Sequence, residues 1–323
     1  MEHIQQTEKP ISLRAILFSP MTRVLAMIIV LFIISGILEP NYFSTEHLMA
    51  VLVLACFLGI IGVGQTLVIL TGGADLSVAY TVTLSACVFA QTTKLTGNGL
   101  IGFAAALSTG LLIGVFKGVG VARLEITPMV MTLATNSILM SITYLYTQGV
   151  LKGSSTDFVT TIAKGNFMGF RYCVMVWMVI GALTIFLLRK TTFGRKIFAI
   201  GSSLRVSRLS GVNTRFTLIG VYVIASLMMT IAGIMLIGYL GYPNYTMGNG
   251  YQLISIAAVV IGGTSIMGGH GSYLGTMGGV VIIYLIQSIL IILNIAEAGR
   301  EIVNGVIILL VLFAYGRSKK VGV

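Results

Sequence analysis

Long apolar blocks, each closed by a short polar or glycine-containing break, occupy most of this chain. About 20 apolar residues make one helical crossing of a bilayer core roughly 30 Å thick. On that scale the blocks predict membrane helices over 22–38, 48–70, 76–93, 99–119, 129–147, 172–188, 216–239, 251–267, 273–294 and 302–315. The expected fold is therefore all-α and integral to the membrane, with about ten transmembrane helices. Residues 1–21 form an N-terminal segment, 22–315 a single membrane domain, and 316–323 a tail. The first twenty residues lack a short apolar run ending in small residues, so the first span is expected to be retained and not cleaved.

Two breaks stand out. Near 71–75, Thr71-Gly72-Gly73-Ala74-Asp75 reads either as a turn outside the membrane or as a broken, re-entrant segment at membrane depth. Near 262–271, Gly262-Gly263-Thr264 again follows an aliphatic strip. Setting Gln65–Gly73 beside Ala258–Thr264 shows the same order of aliphatic strip, glycine pair and small polar stretch, as inverted half-repeats of a transporter would.

Composition excludes a soluble globule: only 9% of the 323 residues are charged and 56% are hydrophobic, with a mean hydropathy of +1.00. The net charge of +11 sits in short clusters between apolar runs, which is the pattern of topology signals and headgroup contacts to a lipid bilayer, with no nucleic-acid partner expected. Ten spans put both termini on one side. Fifteen Lys and Arg then fall on that side (Lys9, Arg14, Arg23, Lys117, Arg123, seven within 189–215, Arg317, Lys319 and Lys320) against five on the other. The positive-inside rule makes the first side cytoplasmic, N-in and C-in.

Asp75 is the acidic residue lodged in a long apolar stretch, where an ionisable group is costly unless capped, paired or hydrated. It is either an N-cap for the span beginning near Leu76 or a gating group or ion-pair member. Gly110, Gly114 and Gly118 form one small-residue stripe, and Gly271, Gly275 and Gly279 another, both suited to close helix packing. Residues 189–215 carry seven bases and no acid, interleaved with Phe193, Ile197, Phe198, Ile200, Leu204, Val206, Leu209 and Val212. That mixture predicts short amphipathic helices that dock on a cytoplasmic partner or lie on the membrane. Cys56, Cys87 and Cys173 read as buried apolar side chains, and the three histidines have no ligand-spaced neighbours, so neither metal nor cofactor is expected. No Gly-Lys-Ser/Thr phosphate loop occurs, and Gly262–Gly269 lies between spans without a strand–loop–helix context. An ion-coupled secondary transporter is the alternative reading, with Asp75 its one coupling candidate.

Three stretches give the chain a family resemblance: Thr66-Leu67-Val68-Ile69-Leu70-Thr71-Gly72-Gly73-Ala74-Asp75-Leu76-Ser77-Val78, Thr192–Gly201 continuing to Arg208–Val212, and Val260–Gly271 followed by Gly275-Thr276. Over about 48–315 the chain resembles the permease subunits of ribose-type bacterial ABC sugar importers. It departs from that pattern at Ala79, Ser202-Ser203 and Gly279. The resemblance implies a bacterial inner-membrane permease without enzymatic activity. Its partners would be a second permease chain, a periplasmic sugar-binding protein and a double-cassette ATPase that binds the ATP. It further implies an ATPase-coupling element in 189–215, with Arg195, Arg205 and Arg208 as contacts and Gly201 and Gly211 at turns. Thr71, Gly72, Gly73, Asp75, Ser77, Gly262, Gly263 and Thr264 become candidates for the translocation pathway and its gate.

Overall fold

The computed structural model describes residues 20–318. Lys9, Arg14, Lys319, Lys320 and most of both terminal segments lie outside the described residues. The ten expected segments are all helical: α1 (Pro20–Leu38), α2 (Thr45–Leu70), α3 (Val78–Thr96), α4 (Gly99–Ala122), α5 (Pro128–Thr147), α7 (Tyr172–Lys190), α10 (Thr214–Leu240), α11 (Tyr251–Ile261), α12 (Tyr273–Ile292) and α13 (Glu297–Ser318). Three short helices join them: α6 (Asp157–Lys164), α8 (Thr192–Ser202) and α9 (Leu204–Leu209). A 3-10 turn at Pro40–Phe43 and a two-residue hairpin, β1 (Asn166–Phe167) with β2 (Phe170–Arg171), complete the described residues.

Among the described residues, seven helices are long and apolar enough to cross a membrane: α1, α2, α4, α5, α7, α10 and α12. The expected span 251–267 is shorter than its apolar run suggested. Helix α11 stops at Ile261 after 11 residues, about 16 Å of rise and half a bilayer core. Gly263 at φ 86° ends it, since a left-handed residue cannot continue a helix. Helix α3 is long enough, but buried Thr81, Thr83 and Ser85 make it polar. It is wrapped by other helices and has no need of an apolar surface.

The core is centred on α2, whose run from Ala55 to Leu70 is buried throughout. Glycines let its neighbours approach. Trp177 of α7 fills the space over Gly59 and donates to the Tyr273 hydroxyl at 2.9 Å, which donates in turn to the Gly59 carbonyl at 2.8 Å. The first glycine stripe faces α10: a methyl on Gly114 would sit 2.5 Å from Val223 Cα, and one on Gly118 2.8 Å from Ile219 Cα. In the second stripe Gly275 and Gly279 lie against the α11 backbone, whereas Gly271 precedes α12 and meets Thr264. Gly114→Ala is expected to force α4 and α10 apart at a cost of about 1–3 kcal/mol. The check is the melting temperature in detergent, with Gly305→Ala, which has open space around it, as the unaffected control.

Charged connections sort to two ends. At one, Ser155 N–H donates to the Gly241 carbonyl and Gly99 abuts Thr156, which brings the region of Lys152 and Lys164 to the far ends of α4 and α10. At the other, Arg208 reaches Glu125 at 3.1 Å. The charge-based topology is consistent with this sorting, with one correction. Lys117 is not on a surface: it is completely buried inside α4.

Candidate functional site

The two breaks predicted at 71–75 and 262–271 meet in space. Helix α2 ends when Gly72 turns to φ 84°, with Gly72 N–H donating to Ile69 O and Gly73 N–H to Val68 O. Helix α11 ends in the same way: Gly263 has φ 86°, its N–H donates to Val260 O, and Thr264 N–H donates to Val259 O. The repeat suggested by sequence is thus real at the level of local capping geometry, though Gly72 pairs with Gly263 and not with Gly262. Gly269 N–H then donates to the Leu70 carbonyl at 3.0 Å, joining the second break to the last residue of α2.

The segment 189–215 touches this junction directly. Within it, α8 buries Ile197 and Ile200, and its C-terminal turn seats Gly201 against Leu70 O and Gly269 N with no room for a side chain. Ser202 lies beside Gly269. The sequence reading placed Gly201 at a turn; in the structure it is helical and serves close approach, because backbone from two other elements occupies the space of a Cβ. Gly211, at φ 78°, does form a turn. Arg195 and Arg205 are exposed. Arg208, also exposed, is paired with Glu125, which itself adopts φ 54°.

Asp75 anchors the first break. It is fully buried beside buried Ala74, whereas Gly72 is exposed, so the break runs from the surface of the bundle into its interior. Its Oδ1 accepts from Ser77 N–H at 2.8 Å and from the Ser77 hydroxyl at 2.6 Å; its Oδ2 accepts from Lys117 Nζ at 2.6 Å. Lys117 also donates to Ser77 Oγ at 2.8 Å. Of the alternatives for Asp75, the structure shows the ion-pair member and not the N-cap: Ser77 is the N-cap of α3, and the carboxylate accepts from the Ser77 N–H while pairing with Lys117. Thr132 of α5 holds the flanking backbone, its hydroxyl accepting from Leu76 N–H at 3.0 Å and donating to Ala74 O at 3.2 Å. Burying an acid and a base is costly unless they are paired and hydrogen-bonded, and this cluster supplies both.

Lys117 is the residue that sequence reasoning missed. Charge clustering alone groups it with the surface bases, but it lies three residues after Gly114 and seven after Gly110, close to the small-residue stripe, a signal that it points into the bundle. Gln65 was missed as well. Its amide oxygen and nitrogen are both buried without a partner among the described residues, as are Tyr222 OH, Ser226 Oγ and Thr264 Oγ1. The structure also makes neighbours of Cys56 and Cys173, two thiols that sequence spacing left unrelated.

These features define a class: a polytopic permease whose broken helices meet a cytoplasmic-type loop at one end of the bundle. Residues 47–312 match the family described as branched-chain amino acid transport system / permease component, and the chain belongs to that family. It is 35% identical over 299 residues to the ribose import permease protein of Escherichia coli K12, covering 91% of this chain and 93% of that one. It is 34% identical over 257 residues to the fructose import permease protein of Rhizobium meliloti, covering 76% and 71%. To an autoinducer 2 import system permease protein of Salmonella paratyphi B it is 32% identical over 296 residues, covering 91% and 85%. No solved structure matches the chain.

Proposed function

We infer that this chain is the membrane-spanning permease subunit of an ATP-driven importer in a bacterial inner membrane. It passes a monosaccharide or sugar-like molecule handed over by a periplasmic binding protein, beside a second permease chain and above a double-cassette ATPase. The relatives named for ribose, fructose and autoinducer 2 import support the substrate class. The observation that carries the mechanism is the seat of Gly201. A push on α8 from the cytoplasm is delivered through backbone contact to the end of α2 and to the 262–272 segment that joins α11 to α12, with no compliant side chain between. Rigid packed elements transmit such a push as a switch between discrete arrangements. Beyond it, the unpartnered polar atoms of Gln65, Tyr222, Ser226 and Thr264 are groups that a hydrated pathway would satisfy, where a permanently dry core would leave them costly.

Helix α9 offers the docking surface. Val206 is 60% and Leu209 82% exposed, flanked by exposed Arg205 and Arg208, an apolar patch with a cationic rim that suits an acidic groove on an ATPase. Arg205→Glu with Arg208→Glu is expected to abolish coupled uptake while membrane insertion is retained. The swap Glu125→Arg with Arg208→Glu separates the internal ion pair from docking: it rebuilds the pair and should still fail to transport. Normal uptake by the double reversal would remove 189–215 from the coupling role.

The ion-coupled alternative rests on Asp75. That carboxylate is held by Lys117 and Ser77 and is fully buried, and the relatives' import-permease names support the ATP-driven reading instead. Purification of the tagged chain from its membrane in mild detergent decides between the two. Stoichiometric recovery of a double-cassette ATPase is expected; uptake driven by an ion gradient in the absence of any ATPase would overturn the proposal.

A further inference from the structure

A cavity of about 380 Å³ opens on the opposite half of the bundle from the 189–215 junction, between the start of α2, the start of α11, the end of α12 and the start of α13. Its polar wall holds His47, Gln287, Ser288, Arg300, Glu301 and Asn304. Ser288 and Asn304 are 5% and 6% exposed, and Ser288 lies four residues before the end of α12, about 6 Å inside it. Polar groups at that depth line an aqueous cavity or are paired within the protein. Here the pairing is incomplete. His47 Nε2 shares a hydrogen bond with Ser288 Oγ at 2.9 Å, and Gln287 Nε2 donates to Asn304 Oδ1 at 2.5 Å. That leaves the second atoms of both amides available, and Arg300 Nε is shielded from solvent without a partner among the described residues.

We propose that this cavity is a binding subsite for a neutral polyhydroxylated solute on its way through the permease, an inference that rests on the sugar-permease reading and adds a location to it. The volume falls in the range of small-molecule pockets, about 300–1,000 Å³. Arg300 and Glu301 place one base and one acid in the wall, a balanced pair that fits a neutral solute better than an anion. Planar amide and guanidinium groups give fixed donor and acceptor directions for hydroxyls. The rings of Tyr251 and Tyr284 with Val51 and Ile254 supply an apolar surface for the carbon face. The cavity also connects to the 189–215 junction, because Met247, Gly250 and Tyr251 in its wall lead into α11, the half-length helix followed by the loop whose Gly269 lies against α8. Displacement of that junction would reshape the subsite.

The test uses the assembled importer in liposomes carrying Asn304→Cys, with Ser288→Cys as a second reporter, labelled by a membrane-impermeant charged thiol reagent. D-ribose and D-fructose are the probes and inorganic phosphate is the charge control. A saturating sugar is expected to slow labelling about tenfold, phosphate to leave it unchanged, and Gln287→Leu to raise the sugar concentration required by about tenfold, the loss of one well-placed hydrogen bond. Labelling indifferent to a sugar that the unaltered complex takes up would overturn the subsite and leave the permease reading standing. A disulfide between two permease copies through Asn304→Cys would also overturn it, by assigning the cavity to their mutual contact. No uptake of ribose, fructose or any member of a panel of pentoses, hexoses, polyols and autoinducer 2, with labelling indifferent to all of them, would overturn the sugar-permease reading itself and the subsite with it.

Discussion

Lys117→Met is expected to cost about 3–5 kcal/mol, because it strands the Asp75 carboxylate in a dry interior with only Ser77 to hold it. A loss of that size lowers the melting temperature in detergent by on the order of 10 °C, and uptake should be lost with it. The double variant Lys117→Met with Asp75→Asn separates fold from function. Removing both charges relieves the desolvation penalty, and buried ion pairs exchanged for neutral groups are often tolerated or even stabilising. Recovery of the melting temperature without recovery of uptake would show that the pair fixes a transport-competent arrangement of the first break against α4. Wild-type uptake by the double variant would reduce the pair to a packing element. Thr132→Val provides a graded comparison: it takes one hydroxyl from the backbone of Ala74 and Leu76 and should cost about 1–2 kcal/mol.

What the sequence disclosed follows from which signals are one-dimensional. Helix positions came from apolar block length, and the amphipathic character of 189–215 from alternating bases and aliphatics; α8 and α9 occupy that interval. The glycine pairs marked both breaks because glycine accepts the left-handed caps found at Gly72 and Gly263 without the strain a side chain would bring. What stayed hidden depended on partners distant in the chain. Lys117 is 42 residues from Asp75, and no periodicity in either segment announces their meeting. Helix α11 looked longer because the residues after Ile261 remain apolar or small; hydropathy reads composition, whereas the break is a matter of φ at one residue. Helix α3 shows the converse. Its buried Thr83 and Ser85 weaken its hydropathy, yet they are satisfied within the bundle, Thr83 Oγ1 donating to Ala79 O at 2.8 Å and Ser85 sharing a hydrogen bond with Thr230 at 2.9 Å.

Gly201→Ala carries the second large expected effect, and it acts on communication more than on folding. The added methyl would overlap Leu70 O, at the capped end of α2, and Gly269 N, in the loop before α12, both backbone atoms that cannot rotate away as a side chain can. Either α8 withdraws from the junction, or the hydrogen bond from Gly269 to Leu70 opens. Strain of this kind costs about 1–3 kcal/mol, less than the loss at Lys117, and α8 can shed it by shifting on its own buried residues Ile197 and Ile200. The assembled importer should therefore form and hydrolyse ATP, while sugar uptake per ATP falls about tenfold or more, since a displacement worth 1.4 kcal/mol already changes an equilibrium tenfold. Gly211→Ala is the informative companion. It strains a left-handed turn with open space around it, so it perturbs the same loop without touching the junction. Equal uncoupling by both variants would mean that general integrity of 189–215 matters; selective uncoupling by Gly201→Ala would place the transmission of force at the contact between α8 and the two helix breaks.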